Sequence, residues 1–343
     1  MKALVLTEYK KFELMEVPIP ECQPEEVLVQ VKAVGICGSD VHGMDGSTGR
    51  RIPPVVMGHE ASGIITATGS AVTAWQAGDR VTFDSTIYKL DDWYTRKGFY
   101  NLSDNRMVLG VSCPEFRKDG ALAEYVTVPQ HILYKIPKNV SYEHAAMVEP
   151  VAVALHAINL TRISLNDTVI VGGTGMISLF LIQLLKLAGC GKIITFDLDQ
   201  DRLDLALKLG ATHAFKAGSV NITEEVKKLT HGRGADIGFE VVGVSTVLKT
   251  LIESVRKGAQ ITLIGNVSPE VEFPLQQVVT RQLTIQGSCA ICGEYEAVLD
   301  LISKEQISMD PLISVMAPLG EGASWFDRLY NHEQGLMKVI LKP

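Results

Sequence analysis

The sequence predicts an α/β protein in which a mainly β region precedes a parallel sheet with helices on both faces. Three observations lead there. Strand-like runs broken by Gly and Pro fill the first third, as in EEVLVQVKAVGIC, where Val27, Val29, Val31 and Ala33 alternate with neighbours of mixed polarity. From Ser141 the period changes to that of helices. Then DTVIVGGTGMISLFLIQLLKLAGCGKIITFDLD gives a buried strand, a glycine turn, a helix and a second buried strand in that order.

Taken in turn, GIITATG, DRVTFD and LAEYVTVP continue the β region, each short and alternating as a strand with one buried face requires. SYEHAAMVEPVAVALHAIN reads as helix, with Ser141 as N-cap and Glu143 and His144 in the first turn. The apolar run 168–171 enters glycines, and the helix that follows places Ile177, Leu181, Leu184 and Leu185 on one face. A second buried strand over 192–196 then ends in Asp197. ADIGFEVVG, a helix over 246–255 and AQITLIG keep the alternation going, so one parallel sheet is expected across about 151–286. Past Gly287 come a helix over 294–303 and the closing strand MKVILKP.

Composition narrows the class. The chain has 343 residues, 46% of them hydrophobic and 21% charged, enough to bury the cores of two soluble domains. A net charge of −7 with no Lys/Arg cluster argues against nucleic acid or an anionic membrane as partner. The opening MKALVLTEYKKFELM holds too short an apolar run for a signal peptide. The longest apolar stretch, 176–190, contains Gln183 and Lys186 and falls short of the ~20 residues that span a bilayer. Six scattered cysteines read as reduced thiols or metal ligands, so the cytoplasm is the expected compartment.

Two constellations carry chemistry. Gly173-Thr174-Gly175-Met176-Ile177-Ser178 lies between a strand and a helix, where a dinucleotide fingerprint belongs: one glycine for the tight turn, one for the approach of a pyrophosphate. Ser178 stands in place of the third glycine. Asp197, ending the next strand, is placed to accept from a ribose hydroxyl and to repel a 2′-phosphate, which favours NAD over NADP. The second set is Cys37 in GICGSDVH, His59 and Glu60 in GHEASG, and Glu149 in VEP, a mixed thiolate, imidazole and carboxylate group of the kind zinc takes. Each has a plainer reading: Cys37 as a small core residue, His59 as a structural histidine, Glu149 as a first-turn carboxylate. Asp40 and Lys338 are candidates to support the metal ligands, with a helix cap as the alternative for Asp40. Ser39 and His42 suit a proton relay, unless His42 is a surface histidine.

GICGSDVH, GHEASG followed by GDRV, GALAEYVTVP, VEPVAVALHA, the glycine turn, FEVVG and ITLIG stand in the order seen in zinc-dependent medium-chain alcohol dehydrogenases. The chain resembles that family over essentially its whole length. CGSDVH, GHEASG and the carboxylate of VEP look most like its sorbitol/L-iditol (polyol) dehydrogenase branch. The resemblance implies a GroES-like β domain formed by both chain ends, 1–150 and 287–343, around a Rossmann NAD-binding domain at 151–286 that has a doubly wound parallel sheet. It implies a catalytic zinc on Cys37, His59 and Glu60 or Glu149, with Ser39, His42 and Glu60 in catalysis. Cofactor contacts would come from Gly173, Gly175, Met176, Ile177, Asp197, Arg202, Val242 and Gly265. The implied reaction passes hydride from a secondary alcohol or polyol to NAD and gives a ketone. The implied assembly is a homo-oligomer, dimer or tetramer.

Two departures qualify the resemblance. Polyol dehydrogenases usually carry an Arg-Tyr pair where this chain has Ala290 and Ile291, flanked by a lone C-x-x-C, Cys289 and Cys292. That leaves smaller diols, amino-alcohol acids and sugar phosphates as other substrates, and a non-catalytic nucleotide-binding protein as the reading from a different class. In YKLDDWYTRKGFYNLSDN, Lys89, Asp92, Thr95 and Ser103 fill the four positions at which many relatives bind a structural zinc through cysteine. One zinc per subunit is therefore expected. Packing of Trp93, Tyr94, Phe99 and Tyr100, with a Lys89–Asp92 ion pair, is expected to hold the loop instead.

Overall fold

The computed structural model describes residues Met1–Pro343 and divides into two compact units, Met1–Glu149 with Ile291–Pro343, and Pro150–Ala290. No helix is long and apolar enough to cross a membrane.

In the first unit the predicted alternation is realised by strand Glu26–Gly35, whose Val27, Val29, Val31 and Ala33 all point into the core. Strand Glu60–Thr68 runs antiparallel along one side of it. On the other side Tyr125–Pro129 pairs with its first half, and the C-terminal strand Lys338–Lys342 pairs with its last residues. The last strand of the chain thus lies against the third. Arg80–Phe83, Leu133–Lys135 and Ile313–Pro318 complete a seven-stranded sheet.

Register decides what this sheet is for. Gly35 pairs with Glu60, and Ile340 pairs with Gly35. Cys37 follows the end of one strand by two residues, His59 precedes the start of its neighbour by one, and Lys338 opens the third. Three segments distant in sequence are therefore delivered to one edge. Gly35 must lack a side chain, because a Cβ there would stand 2.5 Å from Glu60 Oε2.

The second unit is a six-stranded, all-parallel sheet in the order His213–Lys216, Lys192–Asp197, Thr168–Gly172, Ala235–Glu240, Val255–Leu263, Thr284–Gly287. The chain starts at Thr168–Gly172, builds outward one way, then returns and builds the other way. The carboxyl ends of the strands at that switch point are where ligands bind in sheets of this kind. Helices Met176–Leu187 and Gln200–Leu209 pack on each other, as do Ile222–Leu229 and Ser245–Ser254. Asp199 caps the second helix through the amides of Asp201 and Arg202, and Asn221 caps the third through that of Glu224.

The helix expected from Ser141 is two helices, Tyr142–Ala146 and Val148–Asn159, divided at Met147. Ser141 does cap the first, its hydroxyl accepting from the His144 amide. Glu149 then falls in the first turn of the second helix.

Candidate metal centre and nucleotide turn

Cys37, His59 and Glu60 come together with one potential ligand atom each, all within 4.8 Å of one another. His59 and Glu60 are buried and Cys37 half-buried. His59 turns Nδ1 toward Asp40 Oδ2 at 3.4 Å, an ion-pair distance, and neither buried atom has a hydrogen-bond partner. The ring nitrogen left for a metal is Nε2. Lys338 Nζ donates to Glu60 Oε2 at 2.6 Å and to the Ile36 carbonyl at 3.0 Å, the two charged side chains being 3% and 1% exposed.

Electrostatics here have one direction. Burial opposes a charge on His59, but the Asp40 carboxylate and the Cys37 sulfur outweigh it and hold the imidazole well above its ordinary range. Burial would raise Asp40, yet His59 and Arg51 hold it well below the usual carboxylate range. Burial would lower Lys338, and Glu60 and Cys37 raise it. The cluster attracts positive charge wherever a proton or cation can sit. A thiol, an imidazole and a carboxylate at this separation fit a zinc ion, and the unpartnered Asp40–His59 contact is the support a metal-bound imidazole uses.

Glu149 lies outside the three-residue group. The Ser85 hydroxyl donates to its Oε1 at 3.4 Å. Burial pushes Glu149 up to about 7, with His59 lowering it and Glu60 raising it. It therefore feels the centre electrostatically. Ser39, exposed on the short helix Gly38–Gly43, donates through Oγ to Cys37 Sγ at 3.3 Å. His42 sits exposed three residues further along that helix.

The loop with the four-cysteine frame is held differently from the expectation. Trp93 and Phe99 are 64% and 53% exposed, and Trp93 meets its neighbour Tyr94 edge to face, with ring centroids 5.0 Å apart. Lys89 forms no ion pair with Asp92. The Asp92 carboxylate instead accepts from the amides of Tyr94 and Thr95 through Oδ1 (2.9 and 3.2 Å) and from that of Asp104 through Oδ2 (3.3 Å). Backbone N–H groups of a tight turn outcompete an exposed lysine because they are already fixed in place. Tyr100 is the aromatic that is used: its hydroxyl donates to Asp84 Oδ2 at 2.7 Å and accepts from the Gly293 amide at 2.8 Å, and its ring stacks on Tyr88.

In the second unit Gly173 adopts φ +95°, where a Cβ would also stand 2.6 Å from Val242 Cγ2. A Cβ on Gly175 would meet nothing within 4 Å, so that backbone faces open space at the start of helix Met176–Leu187, as a pyrophosphate site requires. Met176 and Ile177 form its first turn. Thr174 and Ser178 are buried there with unpartnered hydroxyls. Asp197 accepts from the Thr174 amide through Oδ2 (2.6 Å) and from the Asp199 amide through Oδ1 (3.0 Å), each oxygen keeping a lone pair for a ribose. Arg202 lies 3.6 Å from Asp199. Gly265 is pressed against the backbone of Val242 and Gly243, where no Cβ fits.

Sequence reading missed three residues. Buried Glu240 accepts from the amides of Val242 and Gly243 and so shapes that turn; an acid before V-V-G was its signal. Ser85, which reaches Glu149, and Arg51, which grips Asp40, gave none. A cavity of about 440 Å³ among Lys227, Arg233, Glu253, Lys257 and Arg281 lies where strand Val255–Leu263 begins, the opposite end of the sheet from the nucleotide turn.

Comparison with known proteins agrees with this geometry. Residues 23–138 match the alcohol dehydrogenase GroES-like domain, and residues 177–304 match the zinc-binding dehydrogenase model. The chain is 32% identical to the D-xylulose reductase of Saccharomyces cerevisiae, covering 99% of this chain and 97% of that protein. It is 30% identical to the sorbitol dehydrogenase of Bacillus subtilis, covering 100% and 97%. A crystal structure from Sinorhizobium meliloti 1021 bound to NADP superposes with a TM-score of 0.90 at 30% identity, covering 100% and 99%. The chain belongs to the zinc-dependent medium-chain alcohol dehydrogenase family, and is an oxidoreductase that works with zinc and a nicotinamide cofactor. Within that family it stands close to the polyol dehydrogenase branch.

Proposed function

We propose that the protein oxidises a secondary alcohol or polyol with NAD, using a single zinc held by Cys37, His59 and either Glu60 or Glu149. The observation that carries this is the convergence of the Cys37, His59 and Glu60 ligand atoms within 4.8 Å, supported by Asp40 and Lys338. When bound, the zinc supplies a Lewis acid for the substrate oxygen, and the nicotinamide accepts the hydride. The chain's own residues orient and carry protons. Ser39, hydrogen-bonded to Cys37 and exposed, takes the substrate's proton from the centre, and exposed His42 passes it to water. Lys338 holds one Glu60 oxygen, so Glu60 would offer a metal the other, and Glu149, held by Ser85, would be the alternative carboxylate.

Asp197 supports NAD, since a carboxylate there repels a 2′-phosphate. Lys89 and Thr95 are not zinc ligands at neutral pH, which supports one metal per chain. The relatives named for D-xylulose and sorbitol support a polyol. Ile291, fully buried, and Ala290 offer no polar grip, which favours a shorter polyol or diol over a long one. Six free cysteines without a disulfide support the cytoplasm, and a homo-oligomer is the expected assembly.

The test is metal content and NADH production on one preparation, across a panel of polyols, short diols and sugar phosphates. Activity that survives complete metal removal overturns the reading. Two zinc ions per chain overturn the stoichiometry, and a higher kcat/KM with NADP overturns the role of Asp197.

A further inference from the structure

The Asp40 carboxylate that faces His59 has a second partner. Arg51 donates through Nε and Nη2 to Asp40 Oδ1, at 3.0 and 2.7 Å, and the two side chains are 4% and 0% exposed. Its remaining nitrogen, Nη1, donates to the Arg50 carbonyl at 3.0 Å. The backbone on either side is tied down: the Ser112 amide donates to the Arg50 carbonyl, the Ile52 amide to the Ser112 carbonyl, and the Ser112 hydroxyl to the Ile52 carbonyl. The stem of Arg51 lies over Gly43, where a Cβ would stand 2.7 Å from Arg51 Cγ. A glycine, a strand and a carbonyl thus fix this guanidinium in place.

The geometry has a consequence for His59. With Oδ1 taken by two N–H groups of a planar fork, Asp40 cannot swing, and Oδ2 is the atom left facing Nδ1 at 3.4 Å. A carboxylate can only accept, so the imidazole proton belongs on Nδ1 and the Nε2 lone pair is turned away from Asp40. That is the tautomer a metal needs. Arg51 also supplies the charge that allows Asp40 to stay buried at 0% exposure beside a thiol and a carboxylate.

We propose that Arg51 is a positioning residue of the metal centre, acting through Asp40 to hold the His59 ring in its zinc-accepting orientation and thereby setting zinc affinity. This rests on the reading of Cys37, His59 and Glu60 as zinc ligands.

The experiment is zinc titration of the metal-stripped full chain against a chromophoric chelator of known affinity, for wild type, Cys37→Ser, Arg51→Met, Arg51→Lys, Asp40→Asn and the Arg51→Met/Asp40→Asn pair. Methionine keeps the stem over Gly43 and removes the donors. Expected is a zinc Kd raised about 10–100-fold in Arg51→Met, the usual cost of losing an outer hydrogen-bond partner, with a smaller rise in Arg51→Lys. The double variant should bind zinc no more weakly than Asp40→Asn alone, because Arg51 has nothing left to act on. A wild-type Kd in Arg51→Met overturns the proposal, and so do multiplying effects in the double variant. Should Arg51→Met fail to fold, a wild-type Kd in Arg51→Lys overturns it, since lysine cannot reproduce the fork. A Cys37→Ser variant that binds zinc as wild type does overturns the underlying ligand reading instead, which separates the two failures.

Discussion

Replacing Lys338 by methionine leaves the volume of the side chain nearly unchanged and removes the only ammonium beside Glu60. The pair is 2.6 Å apart at 3% and 1% exposure, so Glu60 is left as a buried, uncompensated carboxylate. Breaking such a pair from one side costs about 3–5 kcal/mol. Urea unfolding of the metal-free protein at neutral pH should therefore show Lys338→Met losing about 3–5 kcal/mol. Adding Glu60→Gln should restore most of the loss at pH 7. Zinc should shrink it as well, since a neighbouring cation does the work of the ammonium. Wild-type stability in Lys338→Met, or a double variant as unstable as the single one, refutes the reasoning.

Other perturbations test other parts of the molecule. Gly175→Ala places a methyl group in open space at an ordinary φ of −74°, so urea stability should change by less than about 0.5 kcal/mol. NADH should nevertheless bind about tenfold more weakly or worse by fluorescence titration, and unchanged affinity would show that the pyrophosphate lies elsewhere. Burial raises Asp84 to about 6, with the Thr86 amide and the Tyr100 hydroxyl opposing. A raised carboxyl contributes stability that is present below its unfolded value near 4 and is lost as pH rises through about 6. Asp84→Asn should accordingly gain about 3 kcal/mol on wild type between pH 4 and pH 7, and parallel pH curves would sink that account. Asp92→Ala should speed amide hydrogen exchange at Tyr94, Thr95 and Asp104, while a chelator should not speed exchange there in wild type. Exchange that responds to the chelator would mean that a metal holds this loop.

Much of the fold is legible in local pattern. Val27, Val29, Val31 and Ala33 alternate because one face of a strand is buried, and that alternation survives folding unchanged. Gly173 reports a positive φ that other residues rarely adopt, and Gly175 leaves the start of the next helix open to a ligand. Ser141 reads as a cap because a hydroxyl beside a helix start has one obvious donor to satisfy. The loop at 88–105 is held only in part as its residue types suggest. Tyr100 stacks on Tyr88 and Trp93 meets Tyr94 edge to face, but Trp93 and Phe99 stay largely exposed, and Asp92 gathers backbone amides rather than pairing with Lys89. Side-chain type does not say which of several local partners is already fixed in position.

By itself the sequence determined the order of strands and helices, the nucleotide turn and the kinds of ligand available to a metal, because these depend on periodicity and on chemistry carried by short segments. Only the tertiary structure decided that Cys37, His59 and Glu60 meet while Glu149 stays outside their group, that Lys338 reaches Glu60 across 278 positions, and that Arg51 locks Asp40. The meeting of Cys37, His59, Glu60 and Lys338 hangs on the register of strands that pair from opposite ends of the chain, Gly35 with Glu60 and with Ile340. A slip of one residue would turn Glu60 and Lys338 to the other face of the sheet and carry Cys37 and His59 out of alignment, and nothing in a local window of sequence fixes that register.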